Sequence, residues 1–380
     1  MVRPKSICII TNGYPTQDDP GYAFIRPVVC GFADSGIDCT VIAPQSISSA
    51  LVKNKKRRPI KWIDITRKGN SITVFQPLYL SFSTLKIGGR SISTQLRDNA
   101  IKKVFRSNQI APEIIYAHFW ENGIVATEVA GNNSKVFVVS GESKIRVKNR
   151  YLNSDIEKAI KRINGLICVS SKNLDESNSL NLITDSMKTI VIPNAVDNSL
   201  FRRLNRNLLR KELAFNQDAF IVSFVGAFCH RKGVNRVLEA VKNIPEVKLL
   251  LIGKGDNVPE NKQIIFKGSL PHKEIARYLN ASDVFVLPTL AEGCCNAIIE
   301  ALACGLPVIS SNLPFNWDVL NQTNSILVDP MNVDEITVAI KQLMGDDSRR
   351  ANLSKGALKC ASELTMEKRI IKLIDFLNYA

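Results

Sequence analysis

The sequence is poor in several features that would assign a protein to a simple class. Its 380 residues contain only three histidines, and its nine cysteines form no Cys-x-x-Cys pair. Because their number is odd and several lie in or beside apolar runs, reduced and mostly buried thiols of a cytosolic protein are expected, not a disulfide framework. No stretch approaches the roughly 20 continuous apolar residues that a membrane-spanning helix needs.

Other absences exclude further classes. The histidines, His118, His230 and His272, are widely dispersed, so they form no metal-ligating cluster. The chain carries no helix-turn-helix, zinc-finger or RNA-binding signature, which argues against a nucleic-acid partner. The first apolar run, residues 6–10, is short and meets Thr11-Asn12-Gly13, so it predicts a first strand and its loop rather than a signal peptide.

Positive charge is in excess and is unevenly distributed. Residues 1–195 carry 27 Lys and Arg against 15 Asp and Glu, a net charge of +12, whereas residues 196–380 carry 23 against 20, a net charge of +3. The densest basic run lies between Lys53 and Trp62. It is either a solvated loop or a surface that meets anionic lipid head groups or an anionic acceptor, with Trp62 at the interface.

Both halves of the chain alternate strand-like apolar runs with helix-like segments, the pattern of parallel α/β sheets. At 380 residues the chain is too long for one ordinary core, so two domains are expected, with a polar linker at 193–217. A cleft between two doubly wound domains is the first place to expect a ligand site. Strands are predicted at 6–11, 39–43, 72–75, 114–117, 136–140, 166–170, 221–225, 248–252, 264–266, 283–288 and 307–310. Helices are predicted at 23–34, 94–105, 123–130, 155–163, 234–241, 272–279, 296–303 and 366–379.

Two carboxylates stand eight residues apart around a predicted helix start. The strand 283–288 runs into a loop with Glu292 and Gly293, and the helix that begins near Asn296 carries Glu300. In parallel sheets ligands lie outside the carboxyl ends of the strands, and a helix N-terminus there attracts phosphate. The pattern predicts a polyhydroxyl ligand that carries phosphate, such as a nucleotide sugar.

A second strand end carries cations. The strand that ends before Gly226 is followed by Arg231 and Lys232, directly before another predicted helix. Cations and helix N–H groups that converge on one spot suit a diphosphate, although such a basic pair is also common in solvated loops. Glycines follow two further strands, at 253–255 and at Gly268, where a base could lie against the backbone or the chain could simply turn tightly.

Taken together and in order, these and other segments resemble the retaining glycosyltransferases of family 4, the group 1 glycosyl transferases. The matching segments are Tyr14-Pro15 with 18–21 and Phe24-Ile25-Arg26, then 36–44, 114–119 with Gly123, 192–197 with Phe201, Arg231-Lys232-Gly233, and 292–308 with the paired glutamates. The resemblance covers nearly the whole chain. It implies the GT-B fold, in which two Rossmann-like, doubly wound domains face each other across a cleft.

The resemblance also implies boundaries and roles. Residues 1–195 would bind the acceptor, 196–365 the nucleotide sugar, and the helix in 366–380 would pack back toward the first domain. Catalytic roles fall on Glu292, Lys232 and His118. Donor-binding roles fall on Glu300, Arg231, Gly226, Gly293, Cys295, Asn296, Ala297, Ile298, Leu270 and Gly21. Acceptor contacts fall on Glu142 and Arg26.

The implied activity is transfer of a hexose, with retention, from a UDP- or GDP-sugar to a glycan or lipid-linked oligosaccharide in cell-surface polysaccharide synthesis. No metal or other cofactor is implied, and the enzyme would be cytoplasmic, with or without peripheral attachment to the inner membrane face. Two departures from the family pattern stand out. Ala227 replaces the Arg that often follows the phosphate-loop glycine, and Glu142 stands where a His is common.

Two alternatives stay open: a sugar-nucleotide enzyme such as an epimerase, and a degenerate domain that binds or scaffolds, which the departures at Ala227 and Glu142 keep open. Individual residues also have plainer interpretations. His118 could be a core-edge residue, Glu142 a surface carboxylate, and Cys294-Cys295 small apolar filler beside the donor rather than a redox pair.

Overall fold

The computed structural model describes residues 3–16, 19, 21–48, 57–82, 85–256 and 258–379. The chain divides into two compact units. The first comprises Met1–Ile192 with Ile370–Ala380, and the second comprises Pro193–Arg369. The boundaries expected from the sequence, after residues 195 and 365, lie within four residues of these. Among the described residues, no helix combines the length and the apolar character needed to cross a membrane.

The first unit is built on an eight-stranded sheet of order β12-β11-β10-β9-β1-β2-β5-β4, in which only the β4–β5 pair is antiparallel among the described pairs. Its central strands are apolar on both faces, as expected when helices cover a parallel sheet from both sides. The strands are β1 (Ser6–Thr11), β2 (Asp38–Ile42), β3 (Gln45–Ser46), β4 (Lys61–Ile65), β5 (Ser71–Phe75), β6 (Leu78–Tyr79), β7 (Lys86–Ile87), β8 (Arg90–Ser91), β9 (Ile114–His118), β10 (Lys135–Ser140), β11 (Gly165–Cys168) and β12 (Lys188–Val191). The strands β3 with β6 and β7 with β8 form separate two-stranded pairs.

The helices of the first unit are Ile25–Asp34, Ile92–Ser107, Trp120–Val129, Asn153–Ile160 and Ser171–Ser179, with a 3-10 turn at Val147–Asn149. Helix Ile92–Ser107 begins where Ser91 Oγ accepts a hydrogen bond from the N–H of Thr94, the usual role of a serine N-cap. Helix Trp120–Val129 follows β9 almost directly. Helix Trp120–Val129 therefore starts at the carboxyl edge of the sheet.

The second unit has a parallel six-stranded sheet of order β15-β14-β13-β16-β17-β18. This is the doubly wound order in which the first strand of the unit lies beside the fourth, and ligands bind at that reversal point. The strands are β13 (Phe220–Val225), β14 (Val247–Ile252), β15 (Ile264–Gly268), β16 (Val284–Leu287), β17 (Val308–Ser311) and β18 (Ser325–Val328). The helices are Arg206–Glu212, Val234–Val241, His272–Asn280, Asn296–Ala303, Val333–Gly345 and Asp347–Glu363, with a 3-10 turn at Pro314–Asn316.

The prediction that residues 193–217 form an irregular linker is in part wrong. It contains helix Arg206–Glu212, which Asn205 caps by accepting a hydrogen bond from the N–H of Leu208. Arg210 of this helix is buried and pairs with Asp283 at 2.7 Å, directly before β16. One buried ion pair therefore anchors a helix too short and too polar to show an apolar period in the sequence.

The last helix, Met366–Tyr379, has the bounds that its amphipathic pattern predicts. Its second part belongs to the first unit. There the ring of Phe376 packs edge-on against Phe137, with ring centroids 5.9 Å apart. A Cβ on Gly31 would lie 2.4 Å from Ile370, so the absence of a side chain on Gly31 lets this helix approach closely.

Candidate active site

Two loops meet at the carboxyl edge of the second sheet, where β13 and β16 are neighbours. The first connects β13 to helix Val234–Val241, and the second connects β16 to helix Asn296–Ala303. A backbone hydrogen bond of 2.8 Å from the N–H of Leu290 to the carbonyl of Arg231 joins them. This is the reversal point of the strand order, which is the position at which doubly wound sheets bind ligands.

An ion cluster connects the same two loops. One oxygen of Glu292 accepts hydrogen bonds from Lys232 Nζ at 2.7 Å, Arg231 Nη1 at 2.8 Å and Thr289 Oγ1 at 2.7 Å. The side chains of Glu292 and Lys232 are 12% and 13% exposed, whereas that of Arg231 is 43% exposed. The cluster holds two cations against one carboxylate, so it keeps a positive excess where an anion can enter. Sequence reasoning placed these three residues correctly at one site but gave no role to Thr289.

Lys232 is charged in this environment. Burial lowers its pKa, but the neighbouring Cys295 and Glu292 more than offset this effect, and the pKa lies above its ordinary value. Burial also raises the pKa of the Cys295 thiol, whose Sγ lies 4.0 Å from Lys232 Nζ. The thiol is therefore neutral near pH 7, and Lys232 makes its ion pair with Glu292. Gly226 lies beside the lysine stem, since a Cβ there would be 3.5 Å from Lys232 Cδ.

Gly233 makes the turn that carries the two cations. It has a φ of +84°, in the left-handed region, and a Cβ on it would lie 2.7 Å from the carbonyl oxygen of Pro288. Only glycine fits both requirements. Arg236, one turn into the following helix, donates to that same carbonyl at 2.7 Å and to the carbonyl of His230 at 2.9 Å. Glycine and arginine together fix the two loops side by side.

Helix Asn296–Ala303 begins at this edge of the sheet, with Cys295 as its N-cap residue in β-region geometry and Gly293 buried two residues earlier. The first helical positions include Ala297 and Ile298, as the sequence predicts. Asn194 fixes the start of the helix by donating to the carbonyl of Cys294 at 3.0 Å and to Asn296 Oδ1 at 2.8 Å. The N–H groups of a first helical turn lack intrahelical partners and attract anions.

Glu300 lies one turn after this helix start, and its partner was missed in the sequence. Its Oε1 lies 2.8 Å from Nε2 of His272, the first residue of helix His272–Asn280. The hydrogen bond with Glu300 raises the pKa of His272, and burial opposes it. The ring of His272 also lies 5.0 Å from that of Phe201. The only signal in the sequence was a histidine directly after Pro271 at a predicted helix start.

The strand-end glycines of the second unit allow close backbone contact. A Cβ on Gly253, whose φ is +154°, would lie 1.9 Å from the carbonyl oxygen of Gly226. The turn after β15 places Ser269 within hydrogen-bonding distance of the Gly253 carbonyl, at 3.3 Å. Leu270, predicted to contact the donor, is partly buried against the core of this unit. These positions form a compact wall beside the reversal point.

His118 and Glu142 lie at the ends of neighbouring strands of the first unit. His118 ends β9, is 7% exposed, and packs against Phe119 and Phe24 with ring centroids at 4.3 and 5.5 Å. Glu142 follows β10 and accepts hydrogen bonds from the N–H groups of Trp120 at 3.0 Å and Gly141 at 2.9 Å. Burial raises the pKa of Glu142 to about 7, although these N–H groups oppose the shift. Glu142 thus caps the helix that follows His118.

Arg26 and Gly21, predicted for acceptor and donor contacts, have partners within the first unit. Arg26 forms a two-pronged ion pair with Asp64, at 2.7 and 2.9 Å, and donates to the carbonyl of Ile65 at 3.0 Å. The N–H of Gly21 donates to Asp19 Oδ1 at 2.9 Å. Both residues shape loops of this unit, and their predicted ligand contacts stay predictions.

The basic run between Lys53 and Trp62 is described only from Arg57 onward, and Lys53, Lys55 and Lys56 lie outside the described residues. Arg58 pairs with Asp19 at 2.8 Å and is 13% exposed, so it is part of the fold. Trp62 Nε1 donates to Gln76 Oε1 at 3.0 Å, and Lys61 lies 5.0 Å above the ring of Phe75. Arg58, Lys61 and Trp62 of the run therefore make contacts within the first unit.

No group of three or more His, Cys, Asp and Glu side chains in the described part of the chain has metal-binding geometry. The nine cysteines are free thiols. The expectation that no metal is required stays a prediction.

Comparison with known proteins finds relatives of this chain. Residues 205–359 match the family model of the glycosyl transferases group 1. A Bacillus subtilis protein assigned to teichuronic acid biosynthesis as the glycosyltransferase TuaC is 27% identical over 355 residues, which cover 87% of each chain. An Escherichia coli UDP-Gal:alpha-D-GlcNAc-diphosphoundecaprenol alpha-1,3-galactosyltransferase is 29% identical, over 69% of this chain and 73% of that protein.

Among solved structures, sucrose-phosphate synthase from Thermosynechococcus elongatus matches with a TM-score of 0.78 at 18% identity, over 99% of this chain and 98% of that one. The Anabaena protein HepE, in complex with UDP and glucose, matches with a TM-score of 0.72 at 16% identity, over 99% and 100%. At this identity the likeness concerns the fold alone. Two Rossmann-like units of this kind define the GT-B class of glycosyltransferases. The chain is similar to the group 1 glycosyltransferases over residues 205–359, and the B. subtilis and E. coli relatives extend the similarity over most of its length.

Proposed function

We propose that the protein transfers a hexose, with retention of anomeric configuration, from a UDP- or GDP-sugar to a glycan or lipid-linked oligosaccharide in cell-surface polysaccharide synthesis. The observation that carries the proposal is the cluster of Lys232 and Arg231 on Glu292, beside the start of helix Asn296–Ala303. Its positive excess and the helix N-terminus suit a diphosphate. The names of the B. subtilis and E. coli relatives support the pathway.

Each residue of the cluster has a role in this proposal. Lys232 and Arg231 neutralise the charge that develops on the leaving diphosphate, together with the first N–H groups of helix Asn296–Ala303. Glu292 accepts hydrogen bonds from hydroxyls of the donor sugar, and the two oxygens of Glu300 accept them from the ribose diol. Arg231 supplies a second cation, which Ala227 cannot supply at the position where the family often has an arginine.

The reaction then needs no side-chain nucleophile. The bond between the sugar C1 and the β-phosphate oxygen breaks, the nucleoside diphosphate leaves, and the acceptor oxygen bonds to C1 on the same face. A β-phosphate oxygen takes the acceptor proton. Cations close to that phosphate accelerate the step because they stabilise the transition state more than the bound donor.

An apolar cavity of about 690 Å³ in the first unit supports the lipid-linked form of the acceptor. It lies between helix Ile92–Ser107 and the sheet edge, and Phe75, Leu78 and Leu96 are among its lining residues. Its charged lining residues, Lys61 and Lys103, are both cations. An aliphatic chain with an attached phosphate matches such a cavity in polarity and in charge. Acceptors with long alkyl chains are therefore expected to have lower KM values than their methyl analogues.

The donor site is tested by calorimetric titration with UDP and with GDP, without added metal. One nucleotide is expected to bind, and Glu300→Ala to weaken binding about tenfold or more, since a hydrogen bond to a charged group contributes about 1.5–3 kcal/mol. Glu239→Ala is the matched control, because Glu239 pairs with Lys242 on an exposed helix face and is 58% exposed. Binding by neither nucleotide would contradict the proposal and favour a degenerate binding domain.

Peripheral attachment to an anionic membrane is tested separately. Replacing Lys53, Lys55, Lys56 and Arg57 by Ala is expected to reduce co-sedimentation with anionic vesicles, because each cation near such a surface contributes about 1 kcal/mol. Arg58 is left in place, since its pair with Asp19 belongs to the fold. Replacement of the exposed lysine Lys242 is the control. Unchanged co-sedimentation would remove the membrane role from this run.

A further inference from the structure

A small polar cavity opens at the carboxyl edge of the first sheet, and none of the residues assigned above lies in it. Its volume is about 210 Å³, and its lining includes Asn12 after β1, Pro44 after β2 and Glu121 after β9. Pockets that hold drug-sized ligands are larger, about 300–1,000 Å³. The cavity therefore has room for one sugar ring but not for a nucleotide.

One wall of the cavity contains a buried hydroxyl that lacks a partner. Thr94 lines the cavity and is 3% exposed, and its Oγ1 has no hydrogen-bond partner among the described residues. A buried hydroxyl without a partner costs free energy, and native proteins rarely leave one so. A ligand hydroxyl in the cavity would satisfy it.

A second wall presents an aromatic ring in a constrained position. Tyr22 has a φ of +65°, which is rare for a residue with a side chain. Its ring lies over Gly13, where a Cβ would be 2.4 Å from Tyr22 Cδ2. Constrained backbone of this kind concentrates at functional sites. The ring of Tyr22 thus forms a fixed apolar platform beside the polar wall.

The charges in and under the cavity balance. Arg97 pairs with Asp98 at 2.8 Å and with Glu121 at 3.1 Å, and Arg150 pairs with Glu121 at 2.8 Å. The hydroxyl of Tyr151 donates to Asp98 at 2.7 Å and holds the buried pair in place. Two cations face two carboxylates, so the cavity has no excess charge for a phosphate or a uronic acid. Carboxylates such as that of Glu121 accept hydrogen bonds from ring hydroxyls, and guanidinium groups such as that of Arg150 donate hydrogen bonds to them.

We propose that this cavity binds an uncharged pyranose ring of the acceptor, stacked on Tyr22 and hydrogen-bonded to Thr94, Glu121 and Arg150. The inference rests on the proposed glycosyl transfer and names the chemistry of its acceptor. Tyr79 lines both this cavity and the apolar cavity described above, so the sugar and the chain of a lipid-linked acceptor would occupy adjoining spaces.

The test uses the full chain and a panel of methyl glycosides: neutral hexosides, N-acetylhexosaminides and a glucuronide, with binding measured by saturation-transfer NMR. At least one neutral glycoside is expected to bind. Tyr22→Ala should weaken that binding tenfold or more, Tyr22→Phe should leave it unchanged, and Tyr379→Ala, at a tyrosine that is 81% exposed, is the matched control.

Thr94→Val separates a binding role from a structural one. The substitution keeps the shape and removes the unsatisfied hydroxyl, so the melting temperature should stay equal or rise. Glycoside affinity should fall about three- to tenfold, the value of one neutral hydrogen bond. For Thr94→Val, a lower melting temperature with unchanged glycoside affinity would overturn the assignment. In the glycoside panel, the assignment would be overturned if the glucuronide bound most tightly or if no neutral glycoside bound.

The same samples titrated with UDP and GDP distinguish the two proposals. Nucleotide binding without glycoside binding would overturn only the sugar cavity. Glycoside binding without nucleotide binding would leave the cavity in place and contradict the proposed transfer.

Discussion

Each unit places a cluster of charged side chains at the carboxyl edge of its sheet, and the two clusters differ in their balance of charge. In the second unit, Glu292 faces two cations, Lys232 and Arg231. In the first, Arg97 and Arg150 face Asp98 and Glu121. The cluster of the second unit leaves positive charge for an anionic group, and the cluster of the first unit leaves none. Similar fold positions thus suit different ligands, a diphosphate in one unit and an uncharged sugar in the other.

Burial separates the clusters further. The side chains of Arg97 and Asp98 are 8% and 7% exposed, and Tyr151 closes the pair from inside. In the second cluster Lys232 and Glu292 are 13% and 12% exposed and Arg231 is 43% exposed, so its innermost pair is less buried than that of the first. A buried pair cannot lose one partner without leaving the other charge in an apolar environment, whereas an exposed cation is solvated by water. We therefore expect substitutions in the first cluster to affect stability and those in the second to affect catalysis.

The largest expected effect is on stability in the first unit. Asp98→Ala leaves Arg97 with Glu121 as its remaining carboxylate and should lower the free energy of unfolding by about 3–5 kcal/mol. Urea denaturation followed by tryptophan fluorescence measures the change. Glu239→Ala, which removes an exposed pair, should change it by about 0.5 kcal/mol or less. Equal effects of the two variants would show that the buried pair of Arg97 and Asp98 contributes no more to stability than an exposed pair does.

In the second unit the largest effect should be on kcat. Lys232→Ala removes the partly buried cation that faces the developing charge of the leaving group in the proposed reaction, so kcat should fall about 100- to 1,000-fold. The control is Lys242→Ala, at a lysine that is 65% exposed and pairs with Glu239 on the same helix. A Lys232→Ala variant that is unfolded, or that keeps its kcat, would contradict the assignment of catalysis to this cluster.

The clusters also differ in how far the sequence predicts them. Lys232 and Glu292 come from short loops directly after two strands that neighbour each other in doubly wound sheets, so their meeting follows from strand order. The cavity of the first unit joins Asn12, Tyr22, Thr94 and Arg150, which come from four separated segments. No periodicity or motif spacing encodes that meeting, because it depends on where helix Ile92–Ser107 packs.

The sequence also did not predict individual side-chain contacts. The helix Arg206–Glu212 was missed because its seven residues are largely polar and its anchor is one buried ion pair. The pairing of His272 with Glu300 was missed because the two residues stand on helices 28 residues apart along the chain. The strands and helices that were predicted from apolar runs and periods agree with the structure to within a few residues, whereas others were not predicted, among them β4, β12, β18 and helices Ser171–Ser179, Val333–Gly345 and Asp347–Glu363.

The smallest expected effect concerns Glu300 of the second unit, whose partner His272 titrates. The hydrogen bond with Glu300 raises the pKa of His272, and Asp197 also acts in that direction. A raised pKa means that the charged pair stabilises the fold fully below about pH 6.5, the ordinary value for histidine, and that this contribution is lost as the pH rises through the raised value. Because the His272 side chain is 56% exposed, the contribution should be less than about 1 kcal/mol.

The measurement compares urea midpoints of the wild type and His272→Gln between pH 6 and pH 9 at constant ionic strength. The wild-type advantage should be present at pH 6 and absent at pH 9, and NMR titration of the His272 ring gives its pKa directly. If Glu300 holds the ribose diol, a saturating nucleotide should shift that pKa as the ribose takes over the carboxylate oxygen now 2.8 Å from His272. If nucleotide leaves the pKa of His272 unchanged, the ribose binds elsewhere. The proposed donor site would then rest on the positive charge of Lys232 and Arg231.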